Sequence, residues 1–363
     1  MFLVRFLSFI TVIFFMSGIS YAMDLKGKTC VVITSINAPT EHVKKFADMP
    51  NSCVIVVGDK KTPEPYVYKN VIFLSVNQKL GYNLERILPF NSYSRKMLGY
   101  IYAASKGANV IFETDDDNQP RKNWKLTPFE GTYQVSQADS GFKNVYTYYT
   151  QRTIWPRGLP LNLVTDQKSS LKQSELRKEP VHIGVWQSLA DGDPDVDAIF
   201  RLTRGGQCIF DQKEPVVLNH GTLSPFNTQA TFVRRELFPL LYLPTTETFR
   251  CTDILRGWVA QPIMWLYGYR LGFTAPMVHQ VRNPHDFMKD FKDEIPCYLY
   301  ADKVADVVKR AILPQKSISE NLYLAYQALV KEKIVAPEEL IPLKAWIEDM
   351  NFIDPKTPEN TSK

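Results

Sequence analysis

Four short apolar runs punctuate the first third of the chain. Thr29 to Ile36 (TCVVITSI), Ser52 to Val57 (SCVIVV), Val71 to Val76 (VIFLSV) and Ala108 to Glu113 (ANVIFE) are β-branched and apolar on consecutive positions, not alternate ones. That is the pattern of strands covered on both faces. Between them the spacing changes. Pro39, Thr40 and Glu41 open a helical stretch with Thr40 as its N-cap. Asn91 to Lys106 sets Met97, Ile101 and Ala104 on one helical face, and Gly107 supplies the stop. Strand and helix in alternation predict a mostly parallel sheet with helices on both sides, whose ligands sit beyond the carboxyl ends of the strands.

The pattern then weakens. From about Asn118 to His285 prolines, aromatics and short strand signals mix without a period, as in long loops that hold a binding site. Ala301 to Met350 is helical in three pieces: one to Ile312 with Asp302 as cap, one over Ser319–Val335, and one over Pro337–Asp349. Asp354 to Lys363 has the polar, proline-bearing composition of a disordered tail. At the other end Arg5 precedes an apolar run from Phe6 to Met16 and the small residues Ser20 and Ala22. This segment is either a signal peptide cleaved after Ala22 or a short uncleaved anchor. No later segment is long and apolar enough to span a bilayer.

Composition narrows the function. The 363 residues carry 43 basic and 38 acidic side chains, a net charge of +5 spread along the chain. Nucleic-acid binding would need a clustered basic stripe, so an anionic small substrate fits better. Five cysteines without a CxxC spacing indicate neither zinc nor a thioredoxin-like pair. Neither a P-loop, a GxGxxG turn after a strand, a GxSxG elbow nor an HExxH helix occurs.

The strongest local signal is Asp115-Asp116-Asp117, directly after the fourth apolar run. Adjacent carboxylates repel and raise one another's pKa, a cost that a divalent cation removes. Oxygen ligands of this kind select Mn²⁺ or Mg²⁺, completed by substrate phosphates. Strand alternation would turn Asp115 and Asp117 one way and Asp116 the other. A solvated acidic loop or a helix cap is the plainer reading. Arg95 and Lys96, on the preceding helix, are placed to close on a diphosphate, or else form a solvated helical face. Asp191, Asp193, Asp195 and Asp197 alternate after Trp186, without the glycine and glutamate that a calcium loop needs. At least one of these aspartates is expected to hold a sugar hydroxyl.

Several ordered motifs carry a family likeness. Asn91-Ser-Tyr-Ser-Arg-Lys-Met-Leu-Gly-Tyr and Val110-Ile-Phe-Glu-Thr-Asp-Asp-Asp resemble the STELLO family of probable glycosyltransferases. They are similar, more distantly, to plant reversibly glycosylated polypeptides, the UDP-arabinopyranose mutases. Trp155-Pro-Arg-Gly-Leu-Pro-Leu, Val185-Trp-Gln-Ser-Leu-Ala-Asp-Gly-Asp-Pro-Asp-Val-Asp-Ala, Pro225-Phe-Asn-Thr-Gln, Asp253-Ile-Leu-Arg-Gly-Trp and Val278-His-Gln-Val-Arg-Asn-Pro-His-Asp follow in order. This likeness is expected to run from about Cys30 to Asp293, leaving the helical tail and the N-terminus outside.

The resemblance implies an α/β, GT-A-like nucleotide-diphospho-sugar transferase fold with a C-terminal helical extension. Residues 1–22 are the signal or anchor, 23–300 the transferase domain (nucleotide-binding half 23–120, acceptor half 121–300), 301–350 the extension and 351–363 the tail. Asp115 and Asp117 are implied as metal ligands with His279, which matches the mutases' metal-site histidine; His285 is a second candidate. Thr34, Ser35, Asn37, Asp59 and Asp116, with Arg95 and Lys96, fall where such enzymes hold the nucleotide. Arg157 matches the arginine that becomes glycosylated in the mutases, and either contacts the sugar or diphosphate or forms a salt bridge. Asp253 is the implied general base of an inverting displacement, although Thr252 stands where the mutases have a further aspartate; an N-cap role is the alternative. Trp186, Asp191 and Asp193 are expected at the substrate, and Trp186, Trp258 and Trp265 either stack on sugar or fill core.

The implied partners are a nucleotide-sugar donor, UDP-linked, and a glycan or protein acceptor, with no nucleic acid and membrane association only through the N-terminus. The implied place is the secretory-pathway lumen or membrane, or a secreted or anchored bacterial protein. A UDP-sugar mutase and a non-catalytic glycosyltransferase-like scaffold are the alternatives, with metal-dependent phosphoester hydrolysis behind them.

Overall fold

A computed structural model describes residues 24–138 and 140–353. The expected signal or anchor segment and the tail from Asp354 onward lie outside the described residues.

The first third folds as the apolar runs predict. Strands β1 (Thr29–Thr34), β2 (Val54–Val57), β3 (Val71–Leu74) and β4 (Val110–Thr114) are parallel, with β2 and β4 flanking β1 and β3 beyond β2. Every residue of β2 and β4 is buried, which is why these runs show no alternation. Helix α1 (Glu41–Ala47) starts at Thr40, whose hydroxyl accepts from the Val43 amide. A short 3₁₀ turn, Tyr93–Arg95, leads into α2 (Lys96–Ser105). Gly99 lets α2 lie directly on the sheet. A Cβ there would stand 2.5 Å from a Val32 methyl and 2.8 Å from a Val57 methyl.

The stretch from Asn118 to His285, expected to be irregular, instead holds the longest strands. After β5 (Asn118–Pro120), β6 (Glu130–Ser136), β7 (Gly141–Phe142) and α3 (Tyr146–Tyr149) comes β8 (Leu176–Gly192). Then follow α4 (Ala198–Thr203), β9 (Val216–Val217), β10 (Thr222–Leu223), β11 (Ala230–Arg234), α5 (Thr252–Leu266) and β12 (Arg270–Gln280). The main sheet has ten strands in the order β3-β2-β1-β4-β11-β8-β6-β9-β12-β5, and β8 also pairs with β12 in parallel. β11 is antiparallel to both β4 and β8 and joins the two halves into one sheet. Pro180 and a charged start disguise β8, whose second half, from Ile183, is wholly buried. Gly257 and Pro262 disguise α5. Gly257 is there because its Cα passes the Phe226 carbonyl, 2.5 Å from where a Cβ would sit.

The C-terminal helices are α6 (Phe287–Tyr300), α7 (Val304–Ala311), α8 (Ile318–Lys331) and α9 (Leu340–Ile353). Asp302 caps none of them, contrary to expectation. The chain is already helical from Phe287, where Asp286 accepts from the Met288 and Lys289 amides, and α7 begins at Lys303 without a side-chain cap. Ser317 and Glu320 form a reciprocal capping box on α8. These helices share one hydrophobic core with the sheet, running from Leu25 and Val32 through Met97 to Trp346 and Met350. The Trp346 indole donates to the Pro239 carbonyl at 2.9 Å, and Asp349 accepts from the Asn83 and Leu84 amides. A disulfide joins Cys251, at the start of α5, to Cys297 in α6.

Candidate functional site

The carboxyl ends of β1, β2 and β4 open onto a cleft of about 500 Å³, whose other wall comes from α5, its preceding loop and the segment after β12. Thr34, Ser35 and Asn37 follow β1, Asp59 follows β2, and Asp115, Asp116 and Asp117 follow β4; all line it. Strand β4 is held from beneath by Glu113, which receives the Tyr100 hydroxyl at 2.5 Å and Arg256 of α5 at 2.7 Å, all fully or nearly fully buried.

Each aspartate of the turn has different partners. Asp116 takes the Ser35 hydroxyl at 2.5 Å and the Asn37 amide nitrogen at 2.9 Å, while its carbonyl accepts from Thr40. Asp115 Oδ1 receives the Tyr93 hydroxyl at 2.6 Å and the Lys96 ammonium at 3.0 Å. Asp117 is bonded by Gln280 at 3.2 Å. Burial first, and then the Asp115 charge, push the Asp117 carboxyl up to about 7, against the Gln280 bond that lowers it. Of its two neighbours Asp115 raises Asp117 more and Asp116, held by Ser35 and Asn37, less; the three follow β4 in a turn, beyond the reach of strand alternation.

Lys96 departs from expectation. Its ammonium is fully buried behind the turn, bonded to the Thr114 carbonyl at 2.6 Å, to Tyr93 and to Asp115, and does not reach the cleft. Arg95 does line the cleft. Its nearest anion is Asp59, 3.7 Å from Nε, and its Nε has no hydrogen-bond partner.

The opposite wall is an ionic lattice. Arg157 spends all five of its N–H donors on protein. Nε and Nη2 bind Asp195 at 2.8 and 2.7 Å, Nη1 and Nη2 bind Asp253 at 2.9 Å each, and Nη1 also bonds the Arg250 carbonyl. Arg157 therefore has no donor left for a sugar or diphosphate; of its two readings the structure shows the salt bridge, which fixes two carboxylates. Asp195 is held well below the usual carboxylate range because the Arg157 charge outweighs the burial that opposes it. Asp253 accepts from Arg157 twice, from its neighbour's Ile254 amide at 3.1 Å and from Thr228 at 3.5 Å. With every lone-pair direction engaged, it is a fixed anion more than a free general base, and as the second residue of α5 it is not the N-cap either.

Four further expectations are corrected. Trp186 is fully buried, its ring against Tyr133 and its indole donating to the Pro128 carbonyl, so it is core and not a sugar platform; Trp258 and Trp265 are core as well. Asp191 is buried with Arg121 and the Phe210 amide, away from the cleft. Asp193 pairs with Arg201, also outside it. His279 lies in β12 beside Gly192 and Asp191, and alternation turns it to the face opposite Gln280, the residue that reaches Asp117. His285, the second candidate, does line the cleft, with Nδ1 3.0 Å from Asp290.

Residues not singled out from the sequence complete the site: Tyr93 and Thr228, in direct contact between Asp115 and Asp253, and Gln280 and Arg282 at the end of β12. All four sit inside the quoted motifs, and strand alternation alone would have preferred Gln280 or His279, not both.

A mixed sheet with a parallel half, a carboxylate turn ending β4 and a cleft across the strand ends make a mixed α/β, glycosyltransferase-like fold with C-terminal helices packed onto it. A family model described as STELLO glycosyltransferases matches residues 250–361. The chain is similar to the probable glycosyltransferase STELLO1 of Arabidopsis thaliana, 26% identical over 356 residues that cover 90% of this chain and 45% of that protein. It is also similar to the probable glycosyltransferase STELLO2 of the same plant, 29% identical over 278 residues, 69% of this chain and 35% of that protein. The chain thus spans less than half the length of these relatives. The likeness also runs through α6 to α9 and beyond Asp293, where it was expected to stop.

Proposed function

We propose that this chain is a metal-dependent glycosyltransferase that moves a sugar from a UDP-linked donor to a glycan or protein acceptor. The observation that carries the reading is the convergence of the Asp115–Asp117 turn with Ser35, Asn37 and Asp59 at the carboxyl ends of parallel strands, facing Asp253 across one cleft.

Among the described residues no group of three or more His, Cys, Asp or Glu side chains is arranged to hold a metal ion. A two-carboxylate site still fits Mn²⁺ or Mg²⁺, which take few protein ligands and fill the rest with phosphate oxygens and water. The raised pKa of Asp117 is the observation that favours it, because a cation relieves that pair. Asp115 and Asp117 would hold the ion, which supplies positive charge to the departing diphosphate. Tyr93 and Lys96 fix Asp115, and Gln280 fixes Asp117. Ser35 and Asn37 orient Asp116 toward the strand ends, and Asp59 is the carboxylate placed for a ribose hydroxyl. On the facing wall Arg157 binds the Asp253 and Asp195 carboxylates and fixes them where the acceptor would enter the cleft. The protein's place is the secretory-pathway lumen or membrane; among the described residues no helix is long and apolar enough to cross a membrane.

A panel of UDP-sugars incubated with the chain tests this. Mn²⁺-dependent release of UDP, abolished by chelator and by Asp115→Ala/Asp117→Ala, is expected. The saturation of Asp253 favours one second reading, a glycosyltransferase-shaped scaffold that turns nothing over. UDP binding without release for every sugar and acceptor tried would favour it.

A further inference from the structure

The donor reading needs cations for a diphosphate, and the structure removes two of the candidates: Lys96 is spent on Asp115, and Arg157 on Asp195 and Asp253. Arg250, a third cleft arginine, is bound to Glu294 at 2.8 Å. Lys61 and Arg95 also line the cleft, but Arg95 stands beside Asp59 at the end of β2, whereas Arg282 stands against the carboxylate turn. It lines the cleft with its side chain only 8% exposed, yet its best contacts are from Nη2, 3.4 Å each to Asp290 and His285. Nε is buried without a partner, and among the described residues Nη1 has no hydrogen-bond partner either. Burying a guanidinium with so little compensation is costly. Burial, reinforced by Arg201 and Arg250 and opposed by Asp195 and Asp193, pushes Arg282 down to about 10.

Its position is as specific as its shortage of partners. Arg282 lies two residues beyond Gln280, whose amide holds Asp117, and the intervening Val281 amide donates to the Asp117 carbonyl at 3.2 Å. An anion that pairs with Arg282 therefore lies beside the carboxylate turn. We propose that Arg282 is the diphosphate-binding residue of the cleft, donating through its unpartnered nitrogens to the terminal phosphate of a nucleoside diphosphate. The assignment rests on the donor-site reading above. It predicts that Arg282 discriminates diphosphate from monophosphate, since it meets the charge that only the longer ligand carries.

The test is calorimetric titration of UDP and UMP, each with Mn²⁺, into the full chain and its Arg282→Gln and Arg282→Lys variants, with melting temperatures as the folding control. The expected result is a 10- to 100-fold loss of UDP affinity in Arg282→Gln, a UMP affinity within about threefold, and partial recovery in Arg282→Lys, the range seen when one charge-assisted contact is lost. UDP affinity within about threefold of the unaltered chain in a folded Arg282→Gln, on that same scale, overturns the assignment while leaving the donor site standing. A parallel loss of UDP and UMP affinity overturns it too. No UDP binding by the unaltered chain removes the donor reading and this assignment together.

Discussion

Asp117 carries the clearest chemical signature in the cleft. A carboxyl that titrates at about 7 is mostly protonated at pH 6 and mostly ionised at pH 8. A cation needs the ionised form, so metal-assisted nucleotide binding should release a proton and weaken as pH falls through 7, by up to about tenfold per unit. Titration of UDP with Mn²⁺ at pH 6, 7 and 8 measures this, and Asp117→Asn should flatten the profile. Across the cleft, Asp253→Ala is expected to lower stability by about 3 kcal/mol, because it strips two bonds from a buried guanidinium. Chemical denaturation reads that directly; a loosely held catalytic base at the surface would cost far less. At this scale the sequence placed Ser35, Asn37, Asp59 and the aspartates together, and all line the cleft, because they sit at strand ends whatever the tertiary detail. It misplaced Trp186, Asp191 and His279, for which the deciding fact was which face of β8 or β12 each occupies, and Asp193, which lies just past the end of β8 and pairs with Arg201.

At the scale of elements, the parallel half was legible because strands buried on both faces leave unbroken apolar runs, as in β2. The acceptor half was not. The register that gives β8 and β12 their length is fixed by partners far away in sequence, and Pro180, Gly257 and Pro262 send local signals against the elements that contain them. Gly99 shows how tight the readable half is. Gly99→Ala should cost about 1–3 kcal/mol despite the helix-favouring side chain, because the new methyl drives into Val32 and Val57 of the sheet. Thermal melting of that variant gives the sign: a stabilised protein would mean that α2 sits farther from β1 and β2 than described.

For the whole molecule, the C-terminal helices are structural partners of the sheet. Trp346, fully buried, packs near Tyr242 and bonds Pro239, and Asp349 caps the turn that starts at Leu84. Trp346→Ala is therefore expected to cost about 3–5 kcal/mol and to lower the melting temperature of the entire chain in one transition. A separate low-temperature transition, with the sheet unaffected, would show the helices to be an independent unit. The family likeness over residues 250–361 takes in all four of these helices.

The central claim is a metal-dependent nucleotide site at the ends of β1, β2 and β4, and calorimetric titration of UDP tests it most directly. UDP should bind in the presence of Mn²⁺, weaken strongly when the metal is chelated, and fail to bind a folded Asp115→Ala/Asp117→Ala chain. Absence of UDP binding by the folded, unaltered chain with Mn²⁺ present, or equal binding by the double variant, would contradict it.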